Sequence, residues 1–135
     1  MKKKLNCILL VDDDDDDNFF HQIIINEMNI VNKIEVAMNG IEALAYLKKE
    51  HQTPPDIIFL DINMPKMNGW EFLEQYKDLS NVQKAKVVIM ILTTSADPDY
   101  VKKAMEIQEV TGFTTKPLTK ELLSEMLQQH FQDYL

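Results

Sequence analysis

The chain has 135 residues, 45% of them hydrophobic, which suffices for one domain with its own core and is unlike a disordered composition. Its formal net charge is −8 and all 14 basic residues are lysines; with no arginine and no basic stripe, direct nucleic-acid binding is not expected. No apolar run approaches the ~20 residues that cross a bilayer, and the stretch after the basic N-terminus stops at Val11, too soon for a signal peptide, so a cytoplasmic protein without membrane association is expected.

In chain order, Leu5 to Val11 is a short apolar run that fits a strand buried on both faces. It contains Cys7, the only cysteine, so no internal disulfide can form. Asn18 to Met28 reads as a helix with aspartates crowding its N-terminal side, and Asn32 to Met38 alternates like a strand. Asn39-Gly40 turns the chain into a second helix, with Ile41, Leu44, Ala45 and Leu47 on one face and an end near Glu50. Asp56 to Leu60 is a third buried strand running into Asp61, and Gly69 opens a helix whose apolar residues are Trp70, Phe72, Leu73 and Tyr76. Val87 to Leu92 is the most apolar strand, and Pro98 starts a fourth helix where its missing N–H costs little. Gly112 to Thr115 forms a fifth strand and Thr119 to Tyr134 a last helix, capped by Thr119 alone because Leu122 stands where a capping box has an acid or amide. Five strands alternating with five helices predict an α/β fold, a parallel sheet covered on both faces. Residues 1–135 read as a single domain, with nothing left over for an output domain.

Functional groups in such a sheet gather beyond the carboxyl ends of the strands. Those ends carry Asp12 and Asp13 after the first strand, Asp61 after the third, Thr93 and Thr94 after the fourth and Lys116 after the fifth. Two carboxylates about 4 Å apart repel by roughly 4 kcal/mol at an effective dielectric near 20, so three together need a cation or a proton. Mg²⁺ answers that need with one or two carboxylates, waters and phosphate oxygens. Lys116 could hold a phosphoryl oxygen, a threonine hydroxyl could donate to another, and a carboxylate in this nest could attack phosphorus.

The segments ILLVDD (8–13), FLDINMPKMNGWEF (59–72), ILTTS (91–95) and FTTKPLT (113–119) resemble the response-regulator receiver domains of two-component signalling, in the family's order and near its spacing. The resemblance implies a flavodoxin-like, doubly wound sheet of order 2-1-3-4-5 in a three-layer αβα arrangement. It makes Asp61 the phosphoacceptor, and Asp12, Asp13, Asp61 and the backbone carbonyl of Asn63 the Mg²⁺ ligands. Thr93 becomes the hydroxyl that contacts the phosphoryl group, Lys116 its ion-pair partner and Phe113 the aromatic switch that follows the threonine. The Lys116–Pro117 bond is expected to be cis. The implied function is phosphoryl acceptance from a histidine kinase or histidine phosphotransfer protein, with output through protein contacts on the fourth and fifth helices and fifth strand.

By this reading the chain catalyses only its own phosphorylation and dephosphorylation, acts as a monomer or weak dimer, and signals to a downstream protein the sequence does not identify. The alternative from another class is a phosphorylation-independent adaptor, against which the complete set of acids, threonine and lysine speaks. A metal-dependent phosphohydrolase is weaker, because Asn63 stands where an Asp-x-Asp enzyme has its acid. Asp14 to Asp17 are assigned to helix capping and surface charge, and His21, His51 and His130 to the surface. Met105 to Thr111 lacks the glycine that often ends the fourth helix in the family, and the loop Thr94 to Asp99 is slightly long.

Overall fold

The computed structural model describes residues 4–49, 53–80, 88–94 and 97–131. In order they form β1 (Leu5–Val11), α1 (Asp15–Met28), β2 (Val31–Ala37), α2 (Gly40–Lys48), β3 (Ile57–Leu60), α3 (Gly69–Tyr76), β4 (Val88–Thr93), α4 (Pro98–Met105), β5 (Val110–Thr115) and α5 (Lys120–His130). The strands make one sheet in the order β2-β1-β3-β4-β5, every neighbouring pair parallel.

The near-continuous apolar runs have become the three central strands. Every residue of β3 and β4 is buried, and all of β1 except Asn6. Such strands are apolar throughout because helices cover both faces. Alternate side chains feed two cores. Leu9, Val11, Leu60 and Ile91 pack with Leu44, Phe72, Leu73 and Ala104, under α2, α3 and α4. Ile8, Leu10, Phe59 and Leu92 pack with Ile25, Leu123, Met126 and Leu127, under α1 and α5. The result is the doubly wound, three-layer αβα fold.

Several elements differ from the sequence expectation. Helix α1 begins at Asp15, three residues before Asn18, because Asp14 caps it by accepting from the backbone N–H groups of Asp16 and Asp17 at 2.9 and 3.1 Å. In α2 the buried face is Gly40, Ala43, Leu44 and Leu47; Ala45 faces solvent and Ile41 is 50% exposed. The start of the helix is docked closely, with Gly40 so near Met67 that a Cβ there would stand 2.6 Å from the Met67 Cγ. Helix α4 ends without glycine, with Glu106 at its C-terminal cap still in right-handed helical geometry. Strand β5 starts earlier than expected, at Val110, beside a register shift opposite Ile89 and Met90. Helix α5 stops at His130, with Thr119 Oγ1 accepting from the Leu122 N–H at 3.1 Å as its cap. Glu50, His51, Val87, Ser95, Ala96 and Tyr134 lie outside the described residues.

Candidate functional site

The sheet register brings the site together. Val11 pairs with Leu60 and Leu60 with Ile91, so β1, β3 and β4 release Asp12, Asp61 and Thr93 at one edge. The Asp12 N–H donates to Ala37 O at 3.0 Å and the Asp61 N–H to Val11 O at 2.9 Å, which extends the ladders past the strands. Thr115 pairs with Thr93, and the Lys116 N–H donates to Thr93 O at 2.8 Å, so the lysine leaves β5 beside the threonine. The Lys116–Pro117 peptide is cis, as expected. Behind Asp61, the Gly69 N–H donates to Ile62 O at 2.8 Å. A Cβ at Gly69 would meet Asp61 O at 2.6 Å, so only glycine allows α3 to start against the acceptor loop.

Asp12 and Asp61 are 5% and 8% exposed, while Asp13 is open to solvent. One oxygen from each of these three carboxylates lies within 4.8 Å of the others. Lys116 reaches two of them, its Nζ 2.6 Å from Asp12 Oδ2 and 3.6 Å from Asp61 Oδ2. The second Asp12 oxygen accepts from the Asp14 N–H at 3.0 Å, and Asp61 Oδ1 accepts from the Ile62 N–H at 2.9 Å.

The electrostatics follow from this crowding. Burial pushes the Asp61 carboxyl up to about 6, Lys116 opposes the rise, and the charges of Asp12 and Asp13 add to it. Burial works against the Lys116 ammonium, but hydrogen bonds to Asp12 and Asp17 outweigh it and hold the group above the ordinary lysine range. With all three carboxylates ionised, the trio outnumbers the single Lys116 ammonium. Hard oxygen donors at this spacing, two buried and one accessible, suit a small divalent cation.

The expected residues Asp12, Asp13, Asp61, Thr93 and Lys116 all meet at this edge. Asn63 follows Asp61 by two residues and is exposed between the buried Ile62 and Met64, and Phe113 is half-buried in β5 against the core beneath α2, α3 and α4. Two residues need correction. Asp17, assigned to capping or surface charge, forms an ion pair with Lys116 at 2.7 Å. His21, assigned to the surface, is 3% exposed, and its Nε2 accepts a long 3.4 Å hydrogen bond from the Leu118 N–H. Burial and the nearby Lys116 charge lower its pKa and favour the neutral ring. His130 is exposed, as expected. The signal for both corrections was the true start of α1: from Asp15 onward, Asn18, His21 and Ile25 fall on one inward face, and Asp17 borders it. Asn18, also unforeseen, donates from Nδ2 to Asp12 O at 2.9 Å and so steadies the backbone at the acidic pair.

A five-stranded parallel sheet with three carboxylates, a threonine and a lysine at one edge defines a receiver-type signalling domain. Residues 8–128 match the response regulator receiver domain family, and the chain belongs to that family. It is 30% identical over 125 residues to the response regulator Rcp1 of Synechocystis sp., an alignment covering 90% of this chain and 83% of that protein. It is 36% identical over 94 residues to a protein-glutamate methylesterase/protein-glutamine glutaminase of Thiobacillus denitrificans, covering 70% of this chain but only 24% of that protein. Among solved structures, a two-component response regulator from Cytophaga hutchinsonii superposes with a TM-score of 0.87 at 32% identity, covering 96% of this chain and 99% of that one. The Mn²⁺-bound form of Rcp1 superposes with a TM-score of 0.73 at 29% identity, covering 92% and 90%. Among the described residues, no helix is long and apolar enough to cross a membrane.

Proposed function

We propose that this receiver domain is a phosphorylation switch in which Asp61 accepts a phosphoryl group from a histidine kinase or histidine phosphotransfer protein. The observation that carries the reading is the buried Asp61 carboxylate itself, flanked by Asp12 and Asp13 and faced by the Lys116 ammonium at 3.6 Å. An Asp61 oxygen forms a bond to phosphorus as the P–N bond of the donor phosphohistidine breaks and the imidazole departs. Lys116 and the Thr93 hydroxyl donate to phosphoryl oxygens, so the site works by positioning and charge neutralisation. Asp12, Asp13, Asp61 and the Asn63 carbonyl are the residues to hold Mg²⁺, and the Mn²⁺-bound form of Rcp1 supports a divalent ion in this family. When bound, the ion neutralises the carboxylates and the charge building on phosphorus.

The phosphoryl group then draws Thr93 inward and Phe113 after it, shifting a two-state equilibrium that a downstream protein reads through α4, β5 and α5. The chain catalyses its own phosphorylation and dephosphorylation and no metabolic reaction. It acts in the cytoplasm, on the side of the membrane where its donor is phosphorylated, as a monomer or weak dimer. Incubation with Mg²⁺ and acetyl phosphate, followed by intact mass measurement, tests this. A single phosphate adduct that is lost in Asp61→Asn is expected. No adduct under any donor or metal condition sinks the reading and favours a phosphorylation-independent adaptor; rapid turnover of varied phosphate esters favours a hydrolase.

A further inference from the structure

Lys116 touches three carboxylates, and they are not equivalent. Asp12 and Asp61, at 2.6 and 3.6 Å, belong to the trio suited to a cation. Asp17, at 2.7 Å, stands outside that trio on the first turn of α1, with its side chain 36% exposed against 9% for Lys116. A divalent cation held by the trio would compete with Lys116 for Asp12 and Asp61 and would leave Asp17, which is not among its ligands, to the lysine. Asp17 would then be the carboxylate that keeps the ammonium, at 2.7 Å against 3.6 Å for Asp61, and it would compete with a phosphoryl oxygen on Asp61 for the same charge.

We infer that Asp17 is a positioning residue: its ion pair with Lys116 holds the lysine back toward α1 and sets how readily a phosphoryl group on Asp61 captures it. This rests on the phosphoacceptor reading of Asp61. The helix gives the pair its leverage. The Asp17 backbone N–H donates to Asp14 Oδ1 at 3.1 Å, which anchors the residue in the capped first turn of α1, and its carboxylate reaches Lys116 from there at 2.7 Å.

The test compares the full chain with Asp17→Asn and Asp16→Asn at saturating Mg²⁺. Asp16 is an exposed neighbour on the same turn, and its substitution removes the same charge. Two quantities are measured: the affinity for beryllium fluoride, a tetrahedral phosphoryl mimic that binds a carboxylate oxygen, and the phosphorylation rate with acetyl phosphate. A half-exposed ion pair of ordinary strength corresponds to a rise of about fivefold in both for Asp17→Asn. Asp16→Asn should stay within about twofold of the parent, as for a screened surface charge. Equal effects in the two variants, or no rise in Asp17→Asn, overturn the assignment while leaving the phosphoacceptor intact. A parent chain that takes up neither probe overturns both.

Discussion

Asp61 is held in a setting that disfavours its ionised form, and the sign of the effect is testable. Its folded value of about 6 lies above the ~3.9 of an unfolded aspartate, so its contribution to stability is complete below pH ~4 and is lost as pH rises through 6. In a chelating buffer the parent should lose about 2 kcal/mol relative to Asp61→Asn between pH 4 and 7, because the folded carboxyl holds its proton more tightly than the unfolded one. Urea titrations of both proteins across that range measure it, and parallel pH curves contradict it. Asn18 makes a second prediction at this scale. Its Nδ2 bond to Asp12 O is buried, so Asn18→Ala should cost about 1–2 kcal/mol in denaturant. Asp12, Asp13, Asp61, Thr93 and Lys116 were legible in the sequence because strand ends are predictable and their polar residues break apolar runs. Asp17 and His21 were not. Their orientation depends on where α1 starts, and a run of six aspartates conceals which one is the cap.

Two helices flank the site, and both begin with a specific local device. Helix α1 depends on Asp14, which accepts from two orphan N–H groups and is followed by three further aspartates in the first turn. Asp14→Ala should lower stability by about 1 kcal/mol, the usual loss for a cap, read from the denaturation midpoint. Helix α3 depends on the reciprocal Asn68–Glu71 capping box and on Gly69. Gly69→Ala should cost about 2 kcal/mol or more, because the new methyl meets backbone and not a yielding side chain. A smaller loss, or none, in thermal or urea unfolding would mean that α3 can withdraw from Asp61. The strands were read well because their apolar runs are short and nearly continuous. The buried face of α2 was not, since Ile41 and Ala43 are both apolar and only the packing, with Gly40 close against Met67, shows which turns inward.

For the whole molecule, a divalent cation held by the carboxylate trio would be coupled to folding, since only the folded chain brings Asp61 beside Asp12 and Asp13. Mg²⁺ at a hundredfold above its dissociation constant should add about 2.7 kcal/mol of stability, visible as a higher melting temperature. Asp13 is exposed and, unlike Asp12, forms no ion pair with Lys116. Asp13→Asn should therefore abolish most of the Mg²⁺-dependent rise while moving the metal-free melting point little; retention of the full rise would remove Asp13 from the metal set. The order of the sheet follows from the same division between local and global information. Alternating apolar runs and helical segments determined the α/β class, the five strands and the polar residues at their ends, because burial on both faces demands such runs and chemistry demands breaks in them. The tertiary structure alone decided that Lys116 lies closer to Asp12 and Asp17 than to Asp61, and that His21 lies inside. Those outcomes depend on distances between segments up to 99 residues apart in the chain. A sequence pattern reports which face a residue occupies, and only packing reports which of several nearby charges it meets.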